Sequence, residues 1–145
     1  MFDGEYDAFV SFAWDDREAV RTVSESLEGE HGFSCCLHDR DFHPAQPFLD
    51  QMGRSMDASR RVLCFLSPDF VKSKYCVWEF KHSFEEDDLR GMRRLVAILL
   101  EPVNDTDFDK TNEVVRKYIS KFTYLDINDP DFMVKLLRIM ARGKG

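Results

Sequence analysis

At 145 residues, with 43% hydrophobic residues and 13 phenylalanines, the chain is long enough for one domain with a real core and too short for two. A net charge of -7 leaves no basic surplus to release counterions from a phosphate backbone, which argues against nucleic acid as a partner. No apolar run approaches the ~20 residues that span a bilayer and no signal peptide opens the chain, so a soluble protein with no direct membrane insertion is expected.

The stretch Tyr6-Asp7-Ala8-Phe9-Val10-Ser11-Phe12 reads as a strand. Asp15-x-x-Glu18 then predicts a capping box opening a helix, whose apolar face carries Val20, Val23 and Leu27. Gly29 and Gly32 flank its exit, and residues 33–37 form a second apolar strand. The most informative segment follows: Leu37-His38-Asp39-Arg40-Asp41-Phe42-His43-Pro44-Ala45-Gln46. Pro44 pushes His43 towards an extended backbone, and Pro47 suits the first turn of the next helix. A loop braced in this way presents Asp39, Arg40, Asp41, Phe42, His43, Pro44 and Ala45 with little left to order on binding. Mixed charge around an aromatic suits a protein surface. The bland alternative is a crossover held by an Asp–Arg pair.

Phe48, Met52 and Met56 recur four apart, as on a helix covering a sheet. Val62-Leu63-Cys64-Phe65-Leu66 is apolar throughout, as in a strand buried on both faces. Ser67-Pro68 is a cap followed by a proline suited to a helix start. A third helix then turns Phe70, Val77, Phe80 and Phe84 inward and ends in Glu85-Glu86-Asp87-Asp88. That acidic run reads as a solvated helix end, or as a surface for basic partners. Residues 95–100 form a fourth strand closed by Glu101-Pro102, and Val114, Val115, Tyr118 and Ile119 mark a short helix. Residues 122–125 make a brief fifth strand, and Phe132, Leu136 and Ile139 lie on a closing helix.

Strand and helix alternating five times predicts an α/β, flavodoxin-like three-layer sandwich. Its five-stranded parallel sheet has order 2-1-3-4-5, flanked by about five helices. One domain covers residues 1–145, with its core at about 5–141. The crevice of such a sheet opens outside the carboxyl ends of strands 1 and 3. That places residues 13–16 and 67–72 at its mouth, beside the 39–46 loop.

Four cysteines show no C-x-x-C spacing and are expected as small core hydrophobes in a reducing setting. The four histidines show no H-x-x-x-H spacing, and no G-x-G-x-x-G or Walker loop occurs, so neither metal nor cofactor is expected. Ser11 and Ser67 lack a histidine–acid partnership. Asp15-Asp16 after the first strand resembles a phosphoacceptor site, but Asp126, not lysine, follows the last strand, and Asp15 is explained as a cap.

Taken in order, five segments resemble the boxes of TIR domains from Toll-like receptors and their cytoplasmic adaptors. The resemblance runs from about Tyr6 to Met140: the first strand, the 37–44 segment as second box and BB loop, Phe65-Leu66-Ser67-Pro68-Asp69-Phe70-Val71-Lys72-Ser73, Ala97-Ile98-Leu99-Leu100-Glu101-Pro102 and Thr123-Tyr124-Leu125. Pro44-Ala45 stands where the family usually has Pro-Gly, Phe132-Met133 where it has Phe-Trp, and Tyr75-Cys76 where it has Trp-Cys. The chain starts near its first strand and ends just past its last helix, as expected of a domain cut from a larger protein.

The resemblance implies a cytoplasmic interaction domain of innate immune signalling, including the cytosolic part of a membrane receptor. It would pair through the BB loop with other TIR domains (copies of itself, receptors or adaptors), self-associate weakly and need no cofactor. A second implication is enzymatic. Some TIR domains hydrolyse NAD+, as substrate, with one glutamate on the third helix, and Glu79 is the matching position. It would bind the ribose hydroxyls and stabilise oxocarbenium-like charge, with Phe12, Ala13, Trp14 and Tyr75 bordering the nucleotide. Ser83 shares its helix face. The plain alternative is an ordinary helix glutamate paired with His82 or Lys81. The interaction reading is put first.

Overall fold

Residues 6–37 and 48–142 are described in a computed structural model of the chain. The 39–45 loop therefore lies outside the described residues. Five strands, β1 (Tyr6–Ser11), β2 (Cys35–Leu37), β3 (Ser59–Leu66), β4 (Leu95–Leu99) and β5 (Leu125–Asp126), form one sheet of order β2-β1-β3-β4-β5. Every pair is parallel, as the alternation of elements predicts. The helices among the described residues are α1 (Arg17–Glu25), α2 (Phe48–Asp57), α3 (Pro68–Lys72), α4 (Lys74–Arg90), α5 (Glu113–Lys121) and α6 (Phe132–Ala141).

Side-chain alternation along the strands divides the core in two. Ala8, Val10, Leu63, Phe65 and Ile98 face α1, the π-helical turn Ser26–Glu30 that follows it, and α6, meeting Val20, Leu27, Leu136 and Met140. Phe9, Val62, Cys64, Leu66 and Ala97 face the other helices, meeting Met56, Phe70, Phe80, Val115 and Tyr118. The result is the expected three-layer sandwich. All four cysteines are buried and none is joined in a disulfide among the described residues.

Local differences from the sequence expectation have identifiable causes. Six helices occur instead of about five because the expected third helix breaks at Ser73, which is extended (φ -86, ψ 119) and caps α4 by accepting the Cys76 N–H at 3.3 Å. Gly91 ends α4 at φ 65, a left-handed position that glycine occupies without strain. The Asp15–Glu18 capping box does not form. Asp15 and Asp16 share a short 3-10 turn (Trp14–Asp16), and Asp16 precedes α1 without capping it. β5 begins later than expected because Phe122 stays with α5, stacked on Tyr118 at 4.8 Å and edge-on to Phe84 at 5.9 Å.

The acidic end of α4 is only partly solvated, which corrects the reading of that run as a uniform surface. Glu86 pairs with Arg90 at 3.0 Å on the outside. Asp87 turns inward and is buried. Its Oδ2 accepts the backbone N–H groups of Arg94 (2.7 Å) and Leu95 (2.8 Å), and its Oδ1 accepts Arg94 Nε at 3.2 Å. Arg94 also donates to the carbonyls of Met56 (3.1 Å) and Ser59 (3.4 Å), joining α2, β3, α4 and β4 at one point. Asp87→Ala strands a guanidinium that is 2% exposed, so urea unfolding should show a loss of about 3–5 kcal/mol. A loss within the noise of a surface substitution would show that the node does not hold these elements.

The carboxyl edge of the sheet as candidate functional site

Parallel strands all deliver their carboxyl ends to the same edge, and β1 and β3 lie at its centre. Ser11 ends β1 opposite Cys64 in register, and alternation puts it in phase with Phe9, on the face that α4 covers. From α4, Glu79 reaches down to it. Ser11 Oγ donates to Glu79 Oε1 at 2.6 Å in a buried contact. Glu79 is 1% exposed, and among the described residues its Oε2 has no hydrogen-bond partner. Burial pushes the carboxyl up to about 8 despite the Ser11 hydrogen bond, so at neutral pH it is held mainly as the uncharged acid.

Thiols complete this buried group. Burial, then the Glu79 charge, pushes the Cys76 thiol up to about 12, against hydrogen bonds with Ser73 and Ser11. Cys64 is raised for the same two leading reasons. Neither is a ready nucleophile.

A second link crosses the same edge. Ser67 Oγ donates to Asp16 Oδ2 at 2.5 Å and accepts the Phe70 N–H at 3.0 Å, so the cap of α3 also ties it to the end of β1. Burial holds the Asp16 carboxyl above its usual value, the Ser67 bond opposes this, and Asp69 and Asp15 add repulsion. Trp14 (55% exposed) and Tyr75 (45%) stand at the rim, under Arg17 at 4.5 Å and Lys74 at 5.3 Å respectively.

The family model for the TIR domain matches residues 8–137. The chain belongs to the TIR domain family. It is 29% identical to Protein toll of Drosophila melanogaster over 136 residues, covering 92% of this chain and 12% of that protein. It is 34% identical to Toll-like receptor 2 of Capra hircus over 127 residues, covering 83% of this chain and 16% of that protein. The chain therefore spans only a small part of the length of these relatives. Among solved structures, the TIR domain of the Toll-related receptor TRR-2 from Hydra magnipapillata aligns at a TM-score of 0.76, with 24% identity, covering 94% of this chain and 99% of that one. The TIR domains of the Roq1 resistosome align at 0.63, with 17% identity, covering 95% and 82%. These two likenesses show the fold.

Against the positions that TIR resemblance singles out, the structure brings Glu79 to the predicted edge, but not with the partners expected. Lys81 pairs with Glu85 at 3.9 Å. His82 stacks on Trp78 at 4.9 Å and faces Asp57 at 4.0 Å. Of the four residues named as a border, Trp14 and Tyr75 present substantial surface, while Phe12 (2% exposed) and Ala13 (7%) pack inward. Ser83 shares Glu79's face but bonds to the helix backbone, donating to Glu79 O at 2.8 Å.

Sequence reasoning missed Ser11 as the partner of Glu79 and Asp16 as the partner of Ser67. One signal was available for the first: a polar residue ending β1 in phase with a buried phenylalanine has to find a partner on the covering helix.

The raised carboxyl fixes a pH dependence. With a folded value of about 8 against an ordinary 4.5, folding takes up a proton between those limits. The contribution is present in full below 4.5 and lost as pH rises through 8, at on the order of 1 kcal/mol per pH unit. Glu79→Gln copies the neutral acid, so it should remove that slope and gain on the unsubstituted protein in alkaline urea titrations. Parallel pH profiles for the two proteins would contradict a neutral Glu79.

Proposed function

We propose that the chain is an interaction domain of innate immune signalling that associates with other TIR domains, its own copies included, through the 39–45 loop and without a cofactor. A place in the cytosol, including as the cytosolic part of a membrane receptor, belongs to the same proposal. The likeness to Toll and Toll-like receptor 2 along most of the chain carries this reading. The loop's own sequence supports it: a proline-braced run bearing Arg40, Asp41 and Phe42 loses little conformational freedom on docking. Pro44→His or Asp41→Ala should abolish partner binding in pull-downs and signalling in a reporter assay while circular dichroism stays unchanged. Signalling at the unsubstituted level would count against the loop.

One observation favours a second reading, NAD+ hydrolysis. A buried carboxyl with an unpartnered oxygen and a strongly raised value, at the carboxyl edge of a parallel sheet, is the arrangement expected of a reactive group. In that role Glu79 ionises, its oxygens take the ribose hydroxyls, and its charge opposes the positive character developing as the bond to nicotinamide breaks. Purified protein at high concentration should then release nicotinamide from NAD+, and Glu79→Ala should lower the rate by ~100-fold or more. No release at any concentration, or release that survives the substitution, removes the hydrolase reading.

A further inference from the structure

The opposite edge of the sheet carries a feature that neither reading uses. β5 pairs with β4 only at Ile98↔Leu125 and Leu99↔Asp126, so no described strand lies beyond the first half of β4. There a cleft of about 270 Å³ opens between β4, the end of α5 and the end of α6. It is lined by Leu95, Val96, Phe122 and Tyr124 together with Arg61, Arg93 and Arg142, with no carboxylate in the lining among the described residues.

Three guanidiniums in one cleft, in a chain of net charge -7, need an explanation. Four arginines outside the cleft have acidic partners among the described residues: Arg60 with Asp7, Arg90 with Glu86, Arg94 with Asp87 and Arg116 with Glu113. Arg93 and Arg142 form no ion pair with a described residue, and Arg93 lies over the Phe122 ring at 5.0 Å. Arg61 is fixed from behind: Nε donates to Ile139 O at 3.3 Å and its terminal nitrogen to Arg142 O at 3.1 Å. Burial, then the charges of Arg60 and Arg142, pull Arg61 below the usual arginine value. Positive charge is therefore crowded here against its own repulsion. An adjoining cleft of about 210 Å³ shares Arg93, Leu95, Tyr118 and Phe122 and is also lined by Asp87 and Asp88, so the arginine-lined cleft is the better match for an anion.

We propose that this cleft is a binding site for a small organic phosphate with a flat apolar body, such as a nucleoside diphosphate. One carboxylate leaves most of the crowded charge uncompensated, whereas a phosphate or diphosphate matches it and accepts forked hydrogen bonds from guanidiniums. The exposed face of Tyr124 and the apolar side chains of Leu95 and Val96 take the flat group, and the cleft with its neighbour has the size of a small-ligand site.

Calorimetry of the whole chain with ADP, pyrophosphate and adenosine tests this, alongside amide chemical-shift mapping. ADP should bind saturably, more tightly than pyrophosphate and far more tightly than adenosine, and should weaken as salt is raised. Arg93→Gln with Arg142→Gln, both exposed and without an acidic partner among the described residues, should weaken ADP at least ~10-fold with circular dichroism unchanged. Shifts should centre on Leu95, Thr123 and Tyr124 and leave Ser11 and Glu79 still. No saturable binding, binding indifferent to the double substitution, pyrophosphate equal to ADP, or shifts gathered at the Glu79 edge would each overturn the proposal. The last outcome would point to the hydrolase site instead.

Discussion

Helix α4 is held on the sheet by polar groups on its buried face, and that constraint organises both ends of the molecule. Glu79, Ser83 and Asp87 are spaced four apart and all buried, so one line of the helix that faces the sheet is polar. Each group solves its burial differently. Ser83 returns its hydroxyl to the helix backbone, and Asp87 collects three N–H donors including a guanidinium. Glu79 has one hydroxyl and an oxygen with no described partner. Asp87 therefore serves as an anchor, whereas Glu79 is an acid whose charge the protein does little to support.

That difference explains what could be read from the residues alone. The strands, their order and the three layers follow from period-two and period-four apolar patterns, because side-chain burial drives both. The same rule fails for α4. Its inward face mixes Cys76 and Phe80 with Glu79, Ser83 and Asp87, so searching for an apolar stripe assigns the carboxylates to solvent. The correction lay in spacing: a carboxylate four residues from a serine and eight from another carboxylate is a line, not a scatter. Asp15 failed as a cap for a related reason. Both aspartates fit a helix start equally well in sequence, and only the approach of Ser67 from a distant strand decides which one is engaged and how. Tertiary partners of this kind leave no local trace. The family, by contrast, was legible because five motifs in order constrain more than any single one.

The two edges of the sheet also differ in chemistry for a topological reason. Parallel strands send all their carboxyl ends to one side, where Ser11, Asp16, Ser67 and Glu79 gather as hydroxyl and carboxyl groups. On the other side β3 begins early, at Ser59, and its Arg60 and Arg61 hold the final carbonyls of α6, Met140 and Ile139. Guanidiniums add donors there to helix-end carbonyls, and Ile139 O also accepts the Arg142 N–H at 3.3 Å. Arg93, immediately before the buried Arg94, extends the positive side along the open half of β4.

The neutrality of Glu79 bears on how the two functional readings relate. An acid held mainly uncharged by dehydration becomes an anion only when water, a cation or further donors reach its free oxygen. The Ser11 bond is too little, since burial outweighs it. Catalysis at this position thus requires a change around α4 or the arrival of a ligand that brings positive character with it, as a substrate losing nicotinamide does at the moment of bond cleavage. Interaction through the 39–45 loop requires neither. On the association reading Glu79 can stay neutral, whereas on the hydrolase reading activity depends on what happens to the surroundings of one oxygen atom.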